Sequence, residues 1–207
     1  MKLIMFFNGW GMDKSIHPEI DKKNEYELIS LSFPYTNPRI DLYKYEHIYI
    51  IGWSFGVYYA NIYLEEIGKE KENLKNITSI AINGTPEIIG KNGIKKNMMK
   101  YTLDNLTPDS LEKFYMNMGL PEILMNVNKE FTDIKSELKY ILENYKVLKN
   151  NFQKAIISQG DRIVSPENQK KYFTENNVEI KEIVAGHYPF EYFRNFEEIL
   201  NGWGYGV

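Results

Sequence analysis

The 207 residues carry 25 Lys and Arg against 28 Asp and Glu, a net charge of -3, with 43% hydrophobic and 14% aromatic residues. That composition suits a chain that folds around an apolar core, and its acidity argues against a general nucleic-acid binder. Zero cysteines exclude disulfides, thiol nucleophiles, thiolate zinc sites and iron–sulfur clusters; three histidines without metal-type spacing lead us to expect neither metal nor other cofactor. No apolar run reaches the ~18 residues of a membrane span. The apolar start Met1–Phe7 meets Asn8-Gly9 too soon for a signal peptide, so the expected setting is the cytoplasm, with no membrane partner.

Short apolar runs alternate with helical patterns, the arrangement of a parallel sheet flanked by helices. In chain order the expected strands are Lys2–Phe7, Tyr26–Phe33 (stopped by Pro34), His47–Ile51, Ile77–Ile82, Lys154–Ser158 and Val178–Val184. The third and fourth are almost wholly apolar, as central strands covered on both faces must be. Val57–Ile67 has helical periodicity, with Gly68 as its stop. Residues 86–150 offer no convincing strand. They are rich in Lys, Asn and Met, with helical patterns around Ser110–Met118 and Phe131–Leu148, and Thr107-Pro108-Asp109-Ser110 reads as a helix start. The expectation is therefore one domain over residues 1–207, an α/β core of residues 1–85 and 151–207 interrupted by a helical lid at about 86–150.

The sharpest local signal is Gly52-Trp53-Ser54-Phe55-Gly56, between an apolar strand and a helical pattern. A serine on a tight strand-to-helix turn projects its hydroxyl above the sheet, and small residues two before and two after let the two backbones approach. A serine is a weak nucleophile without a base that is itself oriented by an acid. His17 precedes Pro18 in an early polar connection and His47 opens the strand leading into the turn, whereas His187 follows the last strand. In α/β-hydrolases the chain order is nucleophile, acid, histidine, which selects His187. Asp161 follows the fifth strand in Gln159-Gly160-Asp161, 26 residues before His187; Glu87 and Asp133 also lie between serine and histidine, but neither closes a strand in such a turn. Oxyanion donors are expected from the backbone N–H groups of Trp10, within Asn8-Gly9-Trp10-Gly11, and of Phe55.

Six blocks in order, Asn8–Gly11, Trp53–Val57, Ala81–Thr85, Thr102–Thr107, Asp161–Gln169 and Gly186–Phe190, resemble the BioG-type pimeloyl-[acyl-carrier protein] methyl ester esterases. The resemblance implies a reduced α/β-hydrolase fold of about six mostly parallel strands, since the chain starts at the strand bearing the oxyanion turn. It also implies removal of the methyl ester from the carrier-bound pimeloyl group, releasing methanol during biotin synthesis. Ser54, Asp161 and His187 match the family's triad, and Trp10 and Phe55 its oxyanion positions. The related BioH-type esterases meet the carrier protein through lid arginines, but residues 86–150 here contain no arginine.

The expected partner is that acyl-carrier protein. Carrier proteins are acidic, and Lys91, Lys95, Lys96 and Lys100 lie within ten residues with no acid among them, so this segment is either a docking surface or a solvated edge. Met98, Met99, Met116, Met118 and Met125 either line an adaptable acyl tunnel or fill the lid core. Two other functions fit the same residues: a general short-chain carboxylesterase or acyl thioesterase, and a catalytically silent hydrolase-fold binding module.

Overall fold

The computed structural model describes residues 1–16, 24–35, 38, 40–70, 76–125 and 129–201. His17 lies outside them. Six strands form one sheet: β1 (Lys2–Phe7), β2 (Tyr26–Leu31), β3 (His47–Trp53), β4 (Ile77–Ile82), β5 (Lys154–Ser158) and β6 (Glu179–Ile183). Their order is β2-β1-β3-β4-β5-β6, and every adjacent pair is parallel. This is the reduced α/β-hydrolase sheet expected from the sequence, with each strand within a few residues of its expected bounds.

Alternation along the strands divides the core into two clusters. Leu3, Met5, Phe7, Ile48 and Ile50 pack on one face with Val57, Ala60 and Leu64 of α1 (Gly56–Glu70). The intervening Ile4, Phe6, Tyr49 and Ile51 pack on the other. β1 and β3 are buried along almost their whole length, whereas the edge strand β6 exposes Glu179 and Glu182. Charged side chains on such an edge keep other chains from pairing with it. Helix α1 runs through Gly68 instead of stopping there, because a single solvent-facing glycine weakens a helix by only about 1 kcal/mol.

Three helices lie between β4 and β5: α2 (Lys96–Asp104), α3 (Pro108–Asn117) and α4 (Phe131–Asn144). Thr107 caps α3 through a reciprocal pair with Ser110, and Pro108 occupies the first turn, as its sequence indicates. Helix α4 stops four residues short of the expected end, at an extended Tyr145. Met99, Leu111, Tyr115, Ile134, Leu138 and Ile141 dock this layer onto the face opposite α1. Two helices without a strong sequence signal complete the fold, α5 (Pro166–Glu175) against α1's face and α6 (Phe196–Asn201) against the other. Among the described residues no helix is long and apolar enough to cross a membrane.

Chain connections leave β1 toward β2 on one side and leave β3 toward β4 on the other, so a crevice opens at the carboxyl ends of β1 and β3. Two glycines make the approach there possible. A Cβ on Gly56 would lie 2.0 Å from the Phe7 carbonyl oxygen, and one on Gly52 would lie 2.6 Å from the Val57 Cα. Gly56→Ala is therefore expected to destabilise the protein by about 3 kcal/mol or more. Gly68→Ala, whose added methyl meets nothing within 4 Å, is expected to stabilise it by up to about 1 kcal/mol. Urea denaturation of the two variants beside the wild type checks both signs.

Candidate active site

Ser54 sits between β3 and α1 with φ of 55°, a conformation that non-glycine residues adopt at a cost and that aims the side chain out of the turn. Three neighbours fix the strained residue. Its N–H donates to the Ile82 carbonyl at 2.9 Å and its carbonyl accepts from Val57 N–H at 3.1 Å. Gly84 lies so close that a Cβ there would be 2.5 Å from the Ser54 carbonyl oxygen.

The loops after β5 and β6 bring an acid and a base to this hydroxyl. His187 Nε2 is 2.9 Å from Ser54 Oγ, and His187 Nδ1 is 2.9 Å from both carboxyl oxygens of Asp161. With Nδ1 facing a carboxylate, the ring proton belongs on Nδ1, leaving Nε2 to accept from the serine hydroxyl. Asp161 is itself held by donors: Ile163 N–H and Val164 N–H reach Oδ1 at 2.8 and 3.0 Å, and the Gln169 side-chain amide reaches Oδ2 at 3.0 Å. All three side chains are buried. Such an arrangement can move a proton from a hydroxyl to an imidazole while the carboxylate keeps the ring aligned and stabilises its positive charge.

The backbone of His187 is also anchored. Its carbonyl accepts from the Trp53 indole N–H and from Asn83 Nδ2, both at 2.9 Å. Asn83, at the end of β4 with φ of 47°, further donates to Gly186 O and Ser158 Oγ and accepts from Ser158 N–H. One buried amide thus ties three strand ends together. Asn83 escapes a reading of the sequence because its partners are 75 or more residues away, and the Asn83-Gly84 pair looks only like a turn. Gln169 is only eight residues beyond Asp161, but it is the fold of the intervening turn that brings its amide to the carboxylate.

Trp10 and Phe55 follow the carboxyl ends of β1 and β3, with their ring centroids 6.3 Å apart. Neither backbone N–H donates to an acceptor among the described residues. Buried amides without partners are rare, and two of them beside a nucleophile can receive a developing oxyanion. Asn8 binds β2's end, donating to Ser30 Oγ, Leu31 O and Ser32 Oγ at 2.9–3.0 Å. A crevice of about 10 Å³ beside Ser54 is walled by Thr85, Ile88, Ile94 and Val164. A cavity of about 340 Å³ lies farther out, between α3 and α4.

The remaining candidates separate. Lys91, Lys95, Lys96 and Lys100 are all exposed, along the approach to α2 and its first turns. Met99 and Met118 are buried and Met125 lines the outer cavity, but Met98 and Met116 face solvent, so these five residues form no single tunnel. His47 is paired to Thr78 Oγ1 at 2.8 Å at the opposite end of β3, roughly 20 Å from Ser54 at about 3.3 Å per residue. Glu87 caps its own loop through Lys91 N–H and Asn92 Nδ2, and Asp133 is exposed on α4.

One buried carboxyl carries no sequence signal. Glu137 of α4 accepts from Gly11 N–H at 3.1 Å, and Lys129 Nζ lies 3.3 Å from the same oxygen. Burial raises its pKa to about 7, with Lys129 and the Gly11 N–H pulling the other way. Tyr35, Tyr59 and Tyr115 also face it, their phenols raised by burial and by Glu137. In the unfolded chain the group titrates near 4.5, so between pH 4.5 and about 7 the folded state holds the extra proton. Stability from this group is thus greatest below 4.5 and falls as pH rises, by about 3 kcal/mol in total at ~1.4 kcal/mol per unit. Glu137→Gln should lack that slope: its unfolding free energy relative to wild type should climb by about this amount from pH 4.5 to 8 in chemical denaturation.

Comparison with known proteins points one way. A malonyl-[acyl-carrier protein] O-methyltransferase of Bacteroides fragilis is 32% identical over 200 residues, which are 89% of this chain but 39% of that protein. The chain thus spans about two fifths of that relative's length. The crystal structure of BioG from Haemophilus influenzae superposes with a TM-score of 0.82 at 25% identity, covering 98% of this chain and 94% of the other. Human thioesterase 2, at 16% identity and a TM-score of 0.60, covers 97% of this chain and 93% of its own and shares the fold. The family model described as pimeloyl-ACP methyl esterase BioG matches residues 1–199, and the chain belongs to that family.

Proposed function

We propose that this chain is a serine carboxylesterase that hydrolyses pimeloyl-[acyl-carrier protein] methyl ester to pimeloyl-[acyl-carrier protein] and methanol, a step of biotin synthesis in the cytoplasm. The hydrogen-bonded series Ser54–His187–Asp161, open to two unpartnered amides, supports this reading most directly. In this reading residues 1–207 are one domain and residues 86–150 are its lid. The B. fragilis relative is named for the reverse relationship to a methyl ester, attaching one to a carrier-bound acid, which suits a shared carrier-bound substrate class.

In the first half-reaction Ser54 Oγ attacks the ester carbonyl carbon as His187 Nε2 takes its proton. The negative charge that forms on the carbonyl oxygen faces the Trp10 and Phe55 N–H groups. The intermediate collapses with cleavage of the carbon–methoxy bond, and His187 returns the proton so that methanol leaves. A water molecule, deprotonated by the same nitrogen, then attacks the acyl-enzyme; the bond to Ser54 breaks as His187 returns that proton to the Ser54 oxygen, and the carboxylic acid departs on its carrier. No step requires a metal or an electron carrier.

Docking is assigned to Lys91, Lys95, Lys96 and Lys100, whose exposed cations suit an acidic carrier protein. Reversing all four to Glu is expected to raise KM for the carrier-bound ester at least tenfold. The effect on a small p-nitrophenyl ester should stay under twofold; equal losses on both substrates would remove the docking role.

Ser54→Ala should lower kcat on the carrier-bound ester by at least about 10³-fold, with its melting temperature within a few degrees of wild type. A fluorophosphonate probe should label the wild type and not the variant. Unlabelled, folded wild type would favour the silent binding module, and a higher kcat/KM on simple esters or thioesters would favour the general hydrolase.

A further inference from the structure

The turn that carries Trp10 is held from above by helix α4 at two adjacent residues. The Trp10 indole N–H donates to the Ile134 carbonyl at 2.8 Å, and Gly11 N–H donates to Glu137 Oε2 at 3.1 Å. Close packing leaves the turn little other freedom. Gly11 has φ of 73°, and a Cβ there would lie 3.2 Å from both Ile134 Cγ2 and the Tyr115 hydroxyl. On the far side a Cβ on Gly9 would lie 3.1 Å from Ser54 Cβ. Trp10 is thus fixed through its side chain and through the peptide that follows it, while its own N–H remains free for an oxyanion.

A buried carboxylate is an expensive way to hold a peptide. Glu137 is 1% exposed and its Oε1 has no partner among the described residues. An asparagine or a carbonyl could accept the same N–H without a charge to desolvate. What a carboxylate adds is a stronger acceptor than a neutral one, and Lys129 Nζ, 3.3 Å away, balances a charge that would otherwise oppose a nearby oxyanion. Lys129 lies just before α4 and Glu137 within it, so the pair joins the inserted helices to the turn beside the nucleophile.

We propose that Glu137, balanced by Lys129, is a positioning residue for the reaction: by holding Gly11 N–H it sets the Trp10 amide at the angle that receives the oxyanion. This rests on the esterase reading above. The role is to shape the transition-state contact, not substrate affinity, so its loss appears in kcat.

The test replaces the pair together, Glu137→Leu with Lys129→Met, because exchanging a buried ion pair for apolar side chains of similar volume is usually neutral or stabilising. With p-nitrophenyl butyrate at pH 8 the double variant is expected to melt no lower than wild type. Its kcat should nevertheless be 10- to 100-fold lower, with KM within twofold, short of the 10²–10³ seen when an oxyanion donor is removed outright. Glu137→Gln, which restores an acceptor for Gly11, should recover most of the lost kcat. Should the double variant not fold, Glu137→Gln against Glu137→Met carries the same comparison. Equal kcat in accepting and non-accepting variants overturns the proposal. Failure of the esterase reading looks different: wild type would then be no more active than Ser54→Ala, whereas failure of the Glu137 role leaves an active wild type and an equally active double variant.

Discussion

The hydrogen bond between Ser54 and His187 joins residues 133 positions apart, and most of the architecture around it serves to keep that distance at 2.9 Å. The serine end is local: a strand, a residue at positive φ and a helix, with glycines where the backbones nearly touch. The histidine end has no such local device. Its loop is held by the Trp53 indole and the Asn83 amide on its carbonyl, and by Tyr188 N–H donating to Met118 O. Trp53 immediately precedes the nucleophile, so the residue that shapes the elbow also sets the height of the base.

Aromatic packing makes the same connection in the apolar core. Phe190 lies edge-on to Phe6, Trp53 and Tyr188 at centroid distances of 5.2–5.5 Å, and Phe6 also meets Phe196 of α6. Rings at these distances interact specifically as well as burying area. The His187 loop is therefore pinned between β1, β3 and the last helix. With 16 Tyr and 11 Phe in 207 residues, the chain uses large flat side chains where several polar bonds would otherwise be needed.

The helices between β4 and β5 hold the loops of the site directly. Ile134 O, Glu137 and Met118 O each accept from a loop that carries part of the site, so α3 and α4 help define it from above. The narrow space at Ser54, about 10 Å³, follows from the same closeness, since Ile88 and Ile94 of the loop entering the insertion form its wall. That loop is stiffened by Glu87, whose carboxylate accepts from Lys91 N–H and Asn92.

Much of this was legible in the sequence wherever the determining physics is short in range. Strand positions follow from apolar runs, the turn at Ser54 from glycines two residues either side, and the α3 start from Thr107-Pro108, because each depends on neighbours within a few positions. The order of Ser54, Asp161 and His187 along the chain also needs no coordinates. Only the tertiary structure decided that Asn83 and Gln169 hold the base and the acid, that Met98 and Met116 face water while Met99 and Met118 do not, and that Glu137 reaches Gly11 across 126 residues. A buried polar side chain takes its role from whichever donor or acceptor the fold places within 3 Å, and nothing in its immediate sequence records that partner.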